Sequence, residues 1–295
     1  MIEAVDLRKE YADVVAVEGS TFSVEPGEIF GLVGPNGAGK TTTLKMLAGL
    51  IEPTAGRATV AGYDSQDREM RRRLGFLPED SPLYADMTAT SYLRFFADLY
   101  DVPRDVADER IDRTLDRLDL DARDRPLGNV SKGMKRKVAI ARSLVNDPDV
   151  LVYDEPASGL DPLTTNAIVE FVEELSARRT VLFSAHDLHQ VERLCDRVAI
   201  MLDGRIVAQG TIEEIRADHG TVEYRVDTSV QVDGAERVDG TDASGERYRT
   251  TVEDMAAVED VRTAAQEAGG ELLDVRTREP SLEDVFLAVA EGSNA

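Results

Sequence analysis

Nine consecutive residues near the N-terminus combine glycines, a lysine and hydroxyls at the spacing of a polyphosphate-binding loop. They run Gly34-Pro35-Asn36-Gly37-Ala38-Gly39-Lys40-Thr41-Thr42 and fit G-x-x-x-x-G-K-[ST]. Glycines let backbone N–H groups wrap phosphate oxygens, and the helix predicted to follow adds positive potential at its N-terminus. We therefore expect Lys40 to reach the β and γ phosphates of a nucleotide and the Thr41 hydroxyl to ligate Mg²⁺.

A pair of carboxylates, Asp154 and Glu155, comes after an apolar run at residues 149–153. Ligands of open α/β sheets bind outside the carboxyl ends of the strands, where such a pair would lie. Asp154 is predicted to hold Mg²⁺, directly or through water, and Glu155 to orient or deprotonate the attacking water. Solvated surface acids give the same pattern, so the catalytic interpretation depends on the phosphate-binding loop upstream.

The spacing of apolar residues indicates how these segments are positioned. Strands alternating with helices predict a parallel α/β sheet, and the change in pattern near residue 218 predicts a separate small α+β domain. The predicted strands are residues 2–7, 13–24, 29–33, 57–62, 149–153, 180–185, 197–202, 221–227, 246–251 and 271–277. The predicted helices are residues 42–50, 254–267 and 281–290, and residues 81–147 are predicted to be mostly helical, with one helix starting near Lys137.

Composition restricts the class of protein. The net charge is −23, which repels nucleic-acid phosphates and disfavours a nucleic-acid partner. Six lysines among 34 basic residues indicate adaptation to a salt-rich cytoplasm, with ordinary acidic solubilisation as the alternative. We predict no signal peptide and no membrane-spanning helix, and the single cysteine, Cys195, fits a reducing cytoplasm.

Taken in order, these motifs and several further segments resemble those of the ATP-binding cassette (ABC) ATPases. Residues 130–135, Val-Ser-Lys-Gly-Met-Lys, resemble the family signature, and residues 158–161, Ser-Gly-Leu-Asp, are similar to its D-loop. His186 comes after the next predicted strand, at the place of the switch histidine. Tyr11 stands at the place of the aromatic residue that stacks on adenine. The resemblance covers about residues 1–215.

The resemblance implies a head-to-tail homodimer with ATP at its interface. Ser131 and the Gly133 backbone would then contact the γ phosphate of ATP held by another subunit, and Asp161 would belong to the same nucleotide site. His186 would donate to the γ phosphate of its own site, beside the catalytic Lys40. For Tyr11, a partly buried tyrosine at a strand edge remains the alternative.

The sequence departs from the family pattern in two segments. Glu79 stands where the family has glutamine; its carboxylate can still ligate Mg²⁺, although a solvated loop acid is the alternative. In the signature, Lys132 and Met134 replace the usual glycine and glutamine. This variant signature and residues 280–287 resemble exporter ATPases that pair with separately encoded membrane subunits.

The resemblance implies a P-loop NTPase core that carries an antiparallel β subdomain and a helical subdomain at about 81–147. We predict an ABC ATPase domain at 1–217 and an accessory α+β domain at 218–295. The expected function is ATP hydrolysis, with ATP and Mg²⁺, that drives integral-membrane permease subunits from the inner face of the cell membrane. A soluble ABC-type switch is the alternative, while a P-loop kinase leaves the signature, the D-loop and His186 unexplained.

Overall fold

The computed structural model describes residues 1–220, 222–238 and 246–292. The chain divides into two compact units, Met1–Ile212 and Glu213–Ala295. In the described part of the chain, no helix combines the length and the apolar character needed to cross a bilayer.

The first unit contains the phosphate-binding loop and the acidic pair. Its strands are β1 (Ile2–Tyr11), β2 (Val14–Val24), β3 (Ile29–Val33), β4 (Ala55–Val60), β5 (Tyr63–Asp64), β6 (Leu74–Leu77), β7 (Val150–Asp154), β8 (Thr180–Ala185), β9 (Arg197–Leu202) and β10 (Arg205–Thr211). Its helices are α1 (Lys40–Leu47), α2 (Arg68–Arg73), α3 (Ala89–Leu99), α4 (Arg104–Arg117), α5 (Lys132–Arg142), α6 (Pro162–Ser176) and α7 (Leu188–Leu194), with a 3₁₀ turn at Leu127–Asn129.

A six-stranded sheet in the order β10-β9-β3-β8-β7-β6 forms the centre of this unit. The neighbouring strands from β9 to β6 run parallel, and β10 is antiparallel to β9. Every residue of β3, β7 and β8 is buried, which explains their nearly continuous apolar sequences. Because the strands are parallel, the loops after β3, β6, β7 and β8 meet at one edge of the sheet.

A second, antiparallel sheet in the order β2-β1-β4-β5 packs with the first around one core. Leu44 and Leu47 of α1 are fully buried in that core. They share it with Phe22 of β2 and Phe30 of β3, whose rings stack with their centroids 5.6 Å apart. This packing fixes the phosphate-binding loop, which is held between a buried strand and a buried helix.

The segment between β6 and β7 is mostly helical, as predicted. Thr88 caps α3 through a capping box with Ser91. Tyr92 and Leu93 of α3 are buried, and α3 contacts both α4 and α5. Residues 78–87, between β6 and this helical segment, contain neither helix nor strand.

The second unit is a four-stranded antiparallel sheet with helices. Its elements are α8 (Ile212–His219), β11 (Glu223–Thr228), β12 (Glu236–Val238), β13 (Arg247–Val252), α9 (Met255–Glu267), β14 (Leu272–Arg278) and α10 (Leu282–Gly292), with α8 beginning at the boundary between the units. The strand order is β12-β13-β11-β14, and α9 packs against the sheet through Val258 and Ala265. Asp227 is buried in β11 beside Arg249 of β13.

The predicted α/β fold is confirmed, with local corrections. The prediction of a helix starting near Lys137 was wrong: α5 begins at Lys132, because the Ser131 hydroxyl accepts from the Met134 N–H and caps it. Helix α1 begins at Lys40 rather than Thr42. The sequence pattern also missed the strands β5, β6, β10 and β12 and the helices α2 and α8. Residue 221 of the predicted strand 221–227 lies outside the described residues, as do residues 239–245 and 293–295 of the predicted accessory domain.

Candidate active site

The phosphate-binding loop joins the buried end of β3 to α1, and at two of its positions only glycine fits. A Cβ on Gly34 would lie 2.2 Å from the Met201 carbonyl oxygen. Gly39 has φ +104°, and a Cβ there would lie 2.5 Å from the Ala16 carbonyl oxygen. The glycines therefore allow the loop to pass close to neighbouring backbone.

The N-terminus of α1 has no side-chain cap, since its N-cap residue is Gly39. The first N–H groups of a helix have no intrahelical partner, so here they remain for a ligand. Lys40 is buried, with 6% of its surface exposed, and its Nζ donates to the Gly34 carbonyl at 2.6 Å. Backbone N–H groups and an ammonium group thus converge on one loop, which fits a bound phosphate.

Asp154 ends β7 directly opposite Ser184 of β8 and is 1% exposed. The Ser184 hydroxyl donates to Asp154 Oδ1 at 2.6 Å and accepts from the Glu155 N–H at 3.0 Å. Asp154 Oδ2 is buried without a hydrogen-bond partner. A buried carboxylate oxygen without a partner is costly, and a divalent cation or its bound water would satisfy it. The residues present therefore fit Mg²⁺.

The Glu155 carboxylate lies between two groups that suit phosphate chemistry. Its Oε2 is 2.7 Å from His186 Nδ1, and its Oε1 is 3.8 Å from Lys40 Nζ. The Glu155 backbone has φ +49°, a left-handed conformation that non-glycine residues rarely adopt. The residue with the strained backbone is therefore the one whose carboxylate lies next to both His186 and Lys40.

A cleft of about 460 Å³ brings many of the predicted site residues together. Its lining includes Pro35, Asn36, Gly37, Ala38, Gly39, Lys40, Thr41, Thr42, Glu79, Glu155 and His186. Ser158, the first residue of the D-loop-like segment, also lines it, as does Ala16, which the sequence did not mark. Gly34 continues the same loop, and Asp154 immediately precedes Glu155. Tyr11, Ser131, Gly133 and Asp161 are not among the residues that line this cleft.

Tyr11 is the last residue of β1, and 46% of its surface is exposed. Lys9 Nζ lies 5.2 Å from the centre of its ring. The ring is thus largely free to contact a ligand, and it already has a cation near it.

The signature and D-loop residues cap helices. Ser131 is the N-cap of α5, and Asp161 is the N-cap of α6, where its carboxylate accepts from the Thr164 N–H at 3.0 Å. These hydrogen bonds from Thr164 lower the pKa of Asp161. Lys132 links the two segments, because its Nζ donates to the Gly159 carbonyl at 3.0 Å. One of the departures from the family signature therefore has a structural partner in the D-loop.

Sequence reasoning also missed Ser184 and Arg136, which hold residues of the site. Ser184 is fully buried and holds Asp154; the available signal was a hydroxyl within the apolar run of β8. Arg136 is 9% exposed, and its guanidinium donates to the Asp154 carbonyl at 2.9 Å. Burial lowers the pKa of Arg136 to about 10. The signal for Arg136 was weak: it lies four residues before the buried Ile140 on α5.

Comparison with known proteins agrees with this geometry. The family model described as ABC transporter matches residues 17–158, and that described as ATP-binding protein DrrA1-3-like, C-terminal domain, matches residues 210–290. ABC transporter ATP-binding protein NatA of Bacillus subtilis is 39% identical over 224 residues, which cover 73% of this chain and 91% of that protein. Nod factor export ATP-binding protein I of Burkholderia thailandensis is 37% identical over 295 residues, 97% of this chain and 95% of that protein.

A solved structure of an ATP-binding subunit of an ABC transporter superposes with a TM-score of 0.69 and 36% identity, covering 75% of this chain and 93% of that one. Sequence relatives, fold and site geometry point the same way. The chain therefore belongs to the ABC transporter family, in which it is an ATP-binding and ATP-hydrolysing subunit.

Proposed function

We propose that this subunit couples ATP hydrolysis to export through separate integral-membrane permease subunits. The observation that carries the proposal is a single loop that connects the cleft to an exposed apolar cluster. Glu79 lines the cleft, and the loop that contains it continues to Tyr84, which is 57% exposed. Tyr84 contacts Phe95, which is 40% exposed, with ring centroids 6.1 Å apart, and Leu99 of the same helix is 62% exposed.

Exposed apolar clusters of this kind mark interaction surfaces. A permease segment seated on Tyr84 and Phe95 would cover them and would sense any movement of the Glu79 loop. The relatives NatA and Nod factor export ATP-binding protein I are named as transporter or export ATP-binding proteins, which supports the same role here. The subunit would then act at the cytoplasmic face of the membrane, attached through its permease.

In the proposed mechanism, the phosphate-binding loop and Lys40 hold the phosphates of ATP, and the Tyr11 ring stacks on its adenine. Asp154, Thr41 and Glu79 would hold Mg²⁺, which supplies positive charge to the phosphate oxygens. Glu155 orients the attacking water and accepts its proton. His186 is held by Glu155 and donates to the γ phosphate.

We propose that two copies of the chain pair head to tail. Ser131, the Gly133 backbone and Asp161 do not line the cleft of their own chain, so they are available to complete the cleft of a second copy. Each ATP would then lie between Lys40 of one copy and Ser131 of the other. Hydrolysis removes the γ phosphate that joins them and loosens the pair.

We further propose that residues 1–217 act as the ATPase domain and residues 218–295 as an accessory domain. The match of a separate family model to residues 210–290 supports this division. The acidic, lysine-poor composition supports function in a salt-rich cytoplasm.

Co-purification tests the coupling to a permease. The tagged subunit, extracted from its native membrane in mild detergent, should bring down an integral-membrane protein. Tyr84→Glu and Phe95→Glu should lose this partner yet keep the ATPase rate of the isolated subunit. Met255→Glu is the matched control, since Met255 is an exposed apolar residue of the second unit. Retention of the partner by both cluster variants would contradict the docking surface.

Size exclusion with light scattering tests the pair. Glu155→Gln with ATP and Mg²⁺ should elute as a dimer, because binding persists while turnover stops. Adding Ser131→Arg should keep it monomeric, whereas Ser176→Arg, at the far end of α6, should not. ATP binding without any change of mass would contradict the shared site.

A further inference from the structure

Arg136 of α5 is buried among backbone groups of the site. A guanidinium has five N–H donors in a rigid planar fork, and here each of its three nitrogens donates to backbone carbonyls. Nε donates to Pro156 at 2.8 Å, Nη1 to Pro78 at 2.8 Å and Glu79 at 2.9 Å, and Nη2 to Asp154 at 2.9 Å and Glu155 at 2.6 Å. One side chain therefore joins α5, the loop after β6 and the turn after β7.

Burying a cation is costly, and the five carbonyl dipoles offset that cost. Lysine has only three donors on one nitrogen and cannot reach five carbonyls in two segments; glutamine has two donors. The number and placement of the acceptors thus match an arginine. A buried cation that only filled space would not need a match of this kind.

One of the acceptors of Arg136 has a strained backbone. Glu155 has φ +49°, its N–H is held by the Ser184 hydroxyl, and its carbonyl is held by Arg136. With the backbone held on both sides, the Glu155 carboxylate is directed to Lys40 and His186. A strained backbone conformation persists only where surrounding contacts hold it in place. The hydrogen bond from Arg136 to the Glu155 carbonyl is one of these contacts.

We propose that Arg136 is a positioning residue for hydrolysis: it holds the Glu155 backbone in its strained conformation and ties the Glu79 loop to the signature helix α5. The proposal rests on the role of Glu155 in the proposed function. Arg136 does not line the cleft, so its loss should slow turnover much more than it weakens ATP binding.

The test compares Arg136→Lys and Arg136→Gln with wild type, in ATP affinity by titration with a fluorescent ATP analogue and in kcat by steady-state ATPase assay. We expect kcat to fall by about 10–100-fold, since a displacement of about 1 Å at a catalytic group can cost about 10²-fold. The ATP dissociation constant should change by less than about threefold, which is under 1 kcal/mol. Arg142→Lys is the matched control: Arg142 is on the same helix, but its Nη1 donates to the Tyr92 hydroxyl, and its kcat should stay near wild type.

A second measurement separates positioning from general damage. Arg136→Lys is added to Glu155→Gln; if Arg136 acts through Glu155, the double variant should be little slower than Glu155→Gln alone. If the losses of kcat from Arg136→Lys and Glu155→Gln add fully in the double variant, the proposal is overturned. It is also overturned if the Arg136 variants keep over half of the wild-type kcat, or if their ATP affinity falls as much as their kcat. A Glu155→Gln protein with over half of the wild-type rate would instead contradict the proposed role of Glu155.

Discussion

Asp154 in the first unit and Asp227 in the second are both buried aspartates, and they are satisfied in opposite ways. Asp227 is 4% exposed; its two oxygens accept from Arg249 Nε at 2.7 Å and Nη2 at 2.9 Å, and Arg247 lies 3.5 Å away. Asp154 is 1% exposed, accepts from Ser184 through one oxygen, and has no partner for the other.

The difference separates a carboxylate that holds the fold together from one that is available for chemistry. Hydrogen bonding to Arg249 lowers the pKa of Asp227, so the charged form is stabilised by the protein itself. Asp154 Oδ2 has no partner in the protein and is available to a bound ligand such as Mg²⁺ or its water. Variants of these two carboxylates and of their acidic neighbours test the contrast, in order of decreasing expected effect.

Glu155→Gln should reduce the ATPase rate by at least about 10²–10⁴-fold, because an amide cannot accept the proton of the attacking water. ATP binding should persist. Asp227→Asn, which alters a buried acid of the other unit, should leave the rate near wild type. A steady-state assay decides, and more than half of the wild-type rate in Glu155→Gln would refute its role as the base.

Asp154→Asn should weaken the effect of Mg²⁺ on ATP binding by about 10–100-fold, as expected when a group that holds a metal is altered. Its melting temperature should equal or exceed that of wild type, since one oxygen of the buried carboxylate has no hydrogen-bond partner and removing the charge relieves its desolvation cost. ATP titration with and without Mg²⁺, together with calorimetry, measures both effects. A clear loss of thermal stability would show that Asp154, like Asp227, has a structural role.

Asp227→Asn should lower the free energy of unfolding by about 1–2 kcal/mol, at the low end for a charged hydrogen bond because Arg249 is partly exposed. The pKa of Asp227 is lower when folded, so its contribution is present above the unfolded value of about 3.9 and is lost as pH falls through the folded value. The difference between wild type and variant in urea unfolding should therefore shrink in acid. A difference that grows in acid would contradict the pairing.

Glu79→Gln tests a carboxylate that is exposed at the cleft. If Glu79 touches the metal, glutamine should reduce the dependence of ATP binding on Mg²⁺ and lower the ATPase rate, within about fivefold for an exposed charge. Glu52→Gln, an exposed acid that does not line the cleft, serves as the control. Identical Mg²⁺ responses in wild type and Glu79→Gln would identify Glu79 as a solvated loop acid.

Salt should stabilise both units against heat, and its effect per charge should be smaller than those of the substitutions above. The net charge of −23 predicts that KCl raises the melting temperature, because the Debye length falls from about 10 Å at 0.1 M to about 3 Å at 1 M. NaCl at matched ionic strength controls for the identity of the cation. A melting temperature that is flat or falls with KCl would remove the interpretation of adaptation to high salt.

Local patterns predicted the frame of the site well. The buried runs of β3 and β7 were visible as apolar sequence, and a parallel sheet brings the loops at their carboxyl ends to one edge. The glycines of the phosphate-binding loop were informative because their backbone conformation and close contacts exclude side chains. For Lys40 and Glu155 the local pattern therefore predicted a shared edge of the sheet, whereas His186 was placed there by the resemblance to the ABC family.

Contacts between distant segments could not be read in the same way. Ser184 and Asp154 are 30 positions apart, and Arg136 meets carbonyls 58 positions away. Main-chain acceptors leave no signal in residue types, so nothing in the sequence marked Arg136 as their partner. The start of helix α5 was predicted too far toward the C-terminus, because Ser131 was considered only as a phosphate ligand and not as an N-cap.

The left-handed backbone at Glu155 has a consequence for engineering. A non-glycine residue in this conformation costs about 1–2 kcal/mol, a cost that glycine does not bear. Selection of variants for heat resistance alone would therefore favour glycine at position 155, at the expense of turnover. Thermostabilised versions of this ATPase need an activity screen applied together with the heat treatment, because the residue with this left-handed backbone is also the proposed base.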